Sequence, residues 1–285
     1  MNLSQILNSK KIIYSWAGPF RFIWFIKTSN KLLDIRAPNG MLFPSTGKEK
    51  SAKLLDMAPD AVDYVYDGCR KEAMEKFIHL GLLRQELNSS AGFQKAWSAN
   101  TICSKLIPGG TKEHTAALLV YANGNEDFTQ TFDNAVETMG GNVTTYENHF
   151  HFKSLHFLLM DSMSLLKPKK CKTVHVLLDK YTAQKGSKVR FGSFTKVESN
   201  YQSFKKWHDF DGHIVFNITS CFFVNLGDNI CSADKEIELL SPAEVFTVET
   251  VNAQGVERGR YRVVCIALNS ERLKRSCKSC RDVIF

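Results

Sequence analysis

One stretch constrains the fold more than any other. In Asn148–Pro168, Phe152, Leu155, His156, Leu159, Met163 and Leu166 recur at steps of three and four. That spacing places them on one face of a helix turned toward a core. Lys153, Asp161, Ser164 and Lys167 occupy the other side and are expected to meet water. Pro168 lacks an amide hydrogen and disfavours helix in Lys167, so the helix should end there. His149, His151 and His156 share the stretch. A metal site would need further ligands converging with them; none is expected, and His156 reads as a hydrogen-bonded core histidine.

The pattern changes at Pro168. Before it, helical spacing covers Arg70 to about Leu87 and about Phe93–Ile102, with Trp97 packed inward, and Asp127–Thr138, closed by Gly140-Gly141. Asp56–Cys69 opens with acidic residues beside Pro59, as helix starts often do. Glu113–Asn123 fits helix or strand. After Pro168, Val174–Leu178, Val189–Phe194, His213–Phe223, Ile237–Leu240, Glu244–Val251 and Tyr261–Leu268 are short, rich in β-branched and aromatic residues, and separated by turn residues. Helices followed by strands imply an α+β domain with a predominantly antiparallel sheet. No Gly-x-Gly-x-x-Gly occurs, so a Rossmann dinucleotide site is not supported.

The net charge of +8 invites a nucleic-acid reading, but its distribution does not support one. Residues 1–53 hold nine Lys/Arg against two Asp/Glu, whereas the remainder holds 28 against 27. A nearly neutral domain has no broad footprint for a phosphate backbone, and no nucleic-acid partner is expected. The Lys/Arg run Arg272, Lys274, Arg275, Lys278 and Arg281 reads as a solvated face. Within 1–53, the apolar stretch Ile12–Ile26 is interrupted by Pro19 and Arg21. It is too short for a bilayer span and a poor secretory signal. An impaired signal, a targeting arm and an incorrect first exon compete, the last being favoured. The boundary falls near Lys53, giving an atypical basic segment 1–53 and a domain 54–285. The ending Arg281–Phe285 has no hydrophobic tail of the lipid-anchor kind.

Eight cysteines are present, an even count that points only weakly to disulfides. Cys277-x-x-Cys280 resembles half of a zinc or redox site without a second half. Asn88-Ser-Ser, Asn142-Val-Thr and Asn217-Ile-Thr are glycosylation acceptor tripeptides.

Several motifs resemble those of the vertebrate ecto-ADP-ribosyltransferases, the arginine-specific mono-ADP-ribosyltransferases. They are His149-Phe-His-Phe-Lys-Ser-Leu-His-Phe-Leu-Leu159, Met57-Ala58 with Tyr66-Asp-Gly-Cys69, Glu113-His-Thr-Ala-Ala-Leu-Leu-Val-Tyr121 and Arg190-Phe-Gly-Ser-Phe-Thr195. The resemblance covers roughly Leu54–Cys280. It favours helix for Glu113–Asn123 and implies a helical half packed against a split, predominantly antiparallel β-sandwich whose cleft takes NAD. It implies disulfides Cys69–Cys277, with Cys280 as a substitute for Cys277, and Cys171–Cys221, and hence an oxidising, extracellular setting. The implied reaction moves ADP-ribose from NAD to a protein arginine, with no metal and through an oxocarbenium-like transition state.

Three family positions are substituted. Where the family has Cys-x-x-Val-Tyr-Arg-Gly, this chain reads Cys171-Lys-Thr-Val-His-Val-Leu177, with Val176 at the Arg. Where it has Ser-x-Ser, Lys196-Val-Glu198 stands. Where it has Glu-x-Glu, whose last Glu is catalytic, alignment on Pro242 places Lys235 and Ile237. Glu236 and Glu238 form a Glu-x-Glu displaced by one residue, which on a strand turns a side chain to the other face unless a bulge intervenes. Glu236 and Glu238 are therefore the candidate catalytic residues, and Arg190, Gly192, Ser193 and Lys196 the candidate NAD contacts. Lys196 is a replacement phosphate charge and Ser199 a replacement serine. Two readings follow: an NAD-consuming transferase or hydrolase, and a secreted or surface pseudoenzyme that binds a partner.

Overall fold

The structure is a computed structural model. It describes residues 13–18, 21–28, 31–34, 52–99, 103, 105–210, 212–231, 236–257 and 260–273, with the backbone alone for the first three ranges and for 254–257, 260–264 and 272–273. The chain divides into residues 1–49 and 50–285. The first unit contains β1 (Ile13–Gly18), β2 (Arg21–Thr28) and β3 (Lys31–Asp34), an antiparallel meander in that order.

The second unit begins with a two-residue strand β4 (Lys53–Leu54). Asp56–Cys69 is irregular rather than helical. Ala58 takes φ 42° beside Pro59, and Ala61, Val62, Asp63, Tyr64 and Tyr66 are buried, so this segment runs through the core without regular structure. Helix α1 (Arg70–Met74) runs into a π-turn (Glu75–His79). Gly81, at φ 85°, separates that turn from α2 (Leu82–Ser89), so the single helix expected over Arg70–Leu87 is two pieces. There follow α3 (Ala91–Ala99), α4 (Lys112–Asn123), α5 (Glu126–Thr138), α6 (Val143–His149) and α7 (Lys153–Leu165). Asn125 caps α5 by accepting from Phe128 N at 3.0 Å, and Asn142 caps α6 by accepting from Thr145 N at 3.2 Å.

The anchor stretch is thus broken at Phe150–Phe152, and its main helix starts at Lys153. Glu86 of α2 caps α7 from outside, its two oxygens accepting from Lys153 N (2.8 Å) and Ser154 N (3.0 Å). Every residue from Ser154 to Met163 is buried. The expected wet face is therefore wrong at Asp161, which lies in a polar network beneath the helices. It accepts from Arg70 Nε at 2.8 Å and from His114 Nε2 at 2.8 Å. Burial alone would raise its pKa, but these hydrogen bonds outweigh it and hold the carboxyl below its usual range. His156 is the core histidine expected: Nε2 donates to Val62 O at 2.9 Å, leaving Nδ1 to accept from Tyr66 Oη at 3.2 Å.

The C-terminal half supplies β5 (Lys172–Leu177), β6 (Tyr181–Thr182), β7 (Lys188–Val189), β8 (Thr195–Glu198), α8 (Tyr201–Trp207), β9 (His213–Ser220), β10 (Phe223–Asn225), α9 (Leu226–Asn229), β11 (Ile237–Leu240), β12 (Glu244–Glu257) and β13 (Arg260–Leu273). Eight strands form one ladder in the order β10-β11-β8-β5-β9-β13-β12-β7, antiparallel except for β9 beside β13. Val189–Phe194 is not one strand: it leaves the ladder after Val189, because the next residue, Arg190, turns into the core.

Two cores result. One packs the helices against Phe194, Val224 and Leu239. The other gathers Phe223 and Leu240 from one end of the ladder with Phe246 and Val248 near the other. Strands so far apart in the ladder share a core only if the sheet folds over on itself, which is the sandwich expected.

Cys171–Cys221 is bonded as expected, joining the start of β5 to the end of β9. Cys69 is also disulfide-bonded; Cys277 and Cys280 lie outside the described residues. A further bridge, Cys103–Cys231, joins the loop after α3 to the chain just beyond α9, and no motif announced it.

Candidate active site

The substituted positions converge on β5, β8 and β11. Register fixes which side chains share a face. Asn217 of β9 pairs with His175 of β5, His175 with Glu198 of β8, and Glu198 with Ile237 of β11. These four form one cross-strand row. Lys196 lies two residues back on β8, opposite Leu239, and so points to the same face. The β8–β11 register runs unbroken from Ile237↔Glu198 to Leu240↔Thr195, so no bulge turns Glu238 back toward Ile237.

Glu238 consequently points to the opposite face. It is fully buried, accepts from Lys172 Nζ at 2.7 Å and Asn225 Nδ2 at 3.2 Å, and leaves its second oxygen without a partner among the described residues. Val176 lies on the same face two strands away, with Val197 of β8 between them, against the sandwich core. Glu236 sits just before β11. Its carboxylate accepts from Asn200 Nδ2 at 2.7 Å, and hydrogen bonds from Ser203 and Asn200 hold its pKa below the usual range. Its carbonyl accepts from Ser199 N and Oγ, so Ser199 closes this turn.

The four expected NAD contacts separate. Arg190 is almost wholly buried; its guanidinium donates to Asp63, to Met57 O at 2.8 Å and to Ala58 O at 2.7 Å. Gly192, at φ 77°, belongs to the same structural turn, where an added Cβ would meet Ala58 Cβ at 2.9 Å. Ser193 donates to Glu137 Oε1 at 3.0 Å. Of the four, Lys196 is the exposed one. Its Nζ lies 5.7 Å from the centre of the Tyr121 ring and 3.4 Å from Ala122 O, at the end of α4. Burial of its stem lowers its pKa, and Asp133 opposes that shift. Burial pushes the Asp133 carboxyl up to about 7 despite hydrogen bonding from Tyr121.

Sequence reading missed the wall of this face. Helix α8, capped by Asn200, places Tyr201 and Phe204 against His175, with ring centres 4.9 and 5.7 Å away. His208, just beyond α8, meets Glu198 Oε1 at 2.7 Å. In the row Asn217–His175–Glu198–Ile237, His175 is thus covered by α8, while Lys196, on the same face of β8, reaches the end of α4. The arrangement offers one exposed cation, Lys196, and one partly exposed carboxylate, Glu198, beside Ile237, which packs against the helical core. A cavity of about 550 Å³ lies elsewhere, beside His149, His151, Ser89 and Asn134 on the helical half. No group of three potential metal ligands occurs among the described residues.

The profile of the family described as NAD:arginine ADP-ribosyltransferase matches residues 55–272. Ecto-ADP-ribosyltransferase 4 of Homo sapiens is 26% identical over 265 residues, covering 85% of this chain and 81% of its own. Ecto-ADP-ribosyltransferase 5 of Mus musculus is 28% identical over 254 residues, covering 80% of each. A solved structure of the eukaryotic mono-ADP-ribosyltransferase ART2.2, a mutant in complex with NADH, is similar with a TM-score of 0.64 and 28% identity, over 80% of this chain and 98% of that one.

Proposed function

The chain belongs to the NAD:arginine ADP-ribosyltransferase family, and from that premise we propose that it takes NAD as co-substrate and transfers ADP-ribose to arginine side chains of proteins. The observation that carries this reading is the open face of β8, where Lys196 and Glu198 stand in place of the family's two serines. Alternate residues on a strand lie about 7 Å apart, so a phosphate oxygen on Lys196 and a ribose near Glu198 suit one extended dinucleotide. Lys196 would hold the phosphate as a point charge, without the planar fork of an arginine. The chemistry of this donor set needs no metal.

A second reading has its own support. Ile237 places an apolar side chain where the family has its catalytic glutamate, and Glu238 is held on the far face by Lys172. On that reading the protein is a pseudoenzyme that keeps the fold and binds a partner. Either way an extracellular setting fits the disulfides Cys103–Cys231 and Cys171–Cys221 and the ecto-enzyme relatives. No helix among the described residues is long and apolar enough to cross a membrane.

The test is incubation of the full chain, made in an oxidising host, with NAD labelled in its adenosine half and an arginine-rich acceptor protein. Label on acceptor arginines with matching nicotinamide release is the expected result. Nicotinamide release without label on the acceptor would overturn transfer and make the chain an NAD hydrolase. Neither product from a folded chain would overturn the enzyme reading in favour of the pseudoenzyme.

A further inference from the structure

We propose that Glu198 is the catalytic carboxylate of this site, the function having moved one strand along the row from position 237. The inference rests on the enzyme reading above. Ile237 and Glu198 are direct cross-strand partners, so their side chains rise from the same face about 5 Å apart. A glutamate side chain can span about one strand spacing, so the Glu198 carboxylate is within reach of Ile237, which is partly buried against the helical core. The other two carboxylates nearby do not have this geometry. Glu238 points through the sheet to Lys172, and Glu236 is held before the strand by Asn200.

The surroundings of Glu198 favour a working carboxylate. Its side chain is partly exposed, with 27% of its surface accessible. Oε1 is held by His208 Nε2 at 2.7 Å, which fixes the plane of the group, while no hydrogen bond to Oε2 is made among the described residues. His175, its neighbour on β5, is itself fixed by Asn217 Oδ1 at 2.7 Å and by the rings of α8. Lys196 stands two residues away on the same face.

In the reaction the bond between nicotinamide and ribose C1′ breaks, and the bonding pair leaves with nicotinamide. Positive charge grows on C1′ and the ring oxygen. Glu198 accepts a hydrogen bond from a ribose hydroxyl and opposes that charge. A guanidino nitrogen of the acceptor then bonds to C1′, and the proton it loses passes to Glu198 and on to solvent. His208 is the positioning residue for the carboxylate.

The experiment compares the full chain with Glu198→Gln, His208→Gln and His208→Ala, with Glu249→Gln as a surface control. It measures nicotinamide release, NAD affinity by calorimetry, and thermal unfolding. Glu198→Gln is expected to lower release by about 100-fold or more, with NAD affinity changed less than about threefold. His208→Ala should lower it about tenfold, and His208→Gln, which keeps a donor, should recover most of that loss. Release by the parent chain that Glu198→Gln leaves intact would overturn the assignment while the enzyme reading stands. A parent chain that binds NAD and releases nothing would overturn both. If Glu198→Gln unfolds early, Glu198→Asp decides: a shortened carboxylate that melts normally and keeps the full rate contradicts the assignment.

Discussion

Replacing Asp63 by asparagine should destabilise the domain strongly and leave NAD affinity unchanged. Arg190 is almost wholly buried, and the carboxylate of Asp63, also buried, is its counter-charge. Further guanidinium donors go to the Met57 and Ala58 carbonyls, so the side chain ties the 56–63 segment to the strand end after Val189. The asparagine would keep one acceptor oxygen but lose the charge. Breaking a buried pair from one side costs about 3–5 kcal/mol, and retention of the acceptor places the expected loss near the lower figure. At about 2–4 °C per kcal/mol for a domain of this size, the melting temperature should fall by about 6–12 °C. Thermal unfolding by circular dichroism, with NAD titrated at a temperature where both proteins are folded, measures both quantities. A variant that melts within about 2 °C of the parent would refute the burial argument. One that melts normally but loses NAD would return Arg190 to the binding site.

Two buried groups should give opposite pH signatures. Burial lowers the His156 pKa to about 4, below its ordinary 6.5, so the unfolded chain binds the extra proton between those values. Its contribution is present above pH 6.5 and is lost as pH falls toward 4, and His156→Gln should flatten that limb by up to about 1.4 kcal/mol per pH unit. Burial raises Glu86 from 4.5 to about 7, so the folded chain holds the extra proton. Stability there declines as pH rises from 4.5 through 7, and Glu86→Gln should remove that decline; an unchanged profile in either variant contradicts the expectation. For the bridge Cys103–Cys231, whose cysteines lie 128 residues apart, the Cys103→Ser/Cys231→Ser double variant should lose about 2–4 kcal/mol in urea unfolding. A loss below about 0.5 kcal/mol would deny the bridge any stabilising part.

The helix-then-strand order was legible because it rests on local periodicity, and α5, β5 and β11 fall close to where the spacing placed them, whereas for α4 the spacing left helix and strand open and only the family resemblance favoured helix. The break at Phe150–Phe152 was not, because an apolar run reads the same whether one helix or two carry it. Asp161 looked like a surface residue until its partners Arg70 and His114, 91 and 47 positions away, were brought beneath it. Arg190 failed as an NAD contact for a related reason: a motif gives the residue type but not the direction its side chain takes. The flipped facing of Glu238 was readable from strand parity alone. The role of Glu198 was not, since it needs the β8–β11 register, and so does the wall formed by α8 and His208.

Everything proposed for the site depends on the face shared by Lys196, Glu198 and Ile237 receiving NAD. Amide hydrogen exchange of the full chain with and without NAD tests that most directly. Slowed exchange in 195–208 and 236–238 is the expected result, with the lining of the 550 Å³ cavity around His149 and His151 unchanged. Protection around that cavity, with β8 and α8 unaffected, would contradict it.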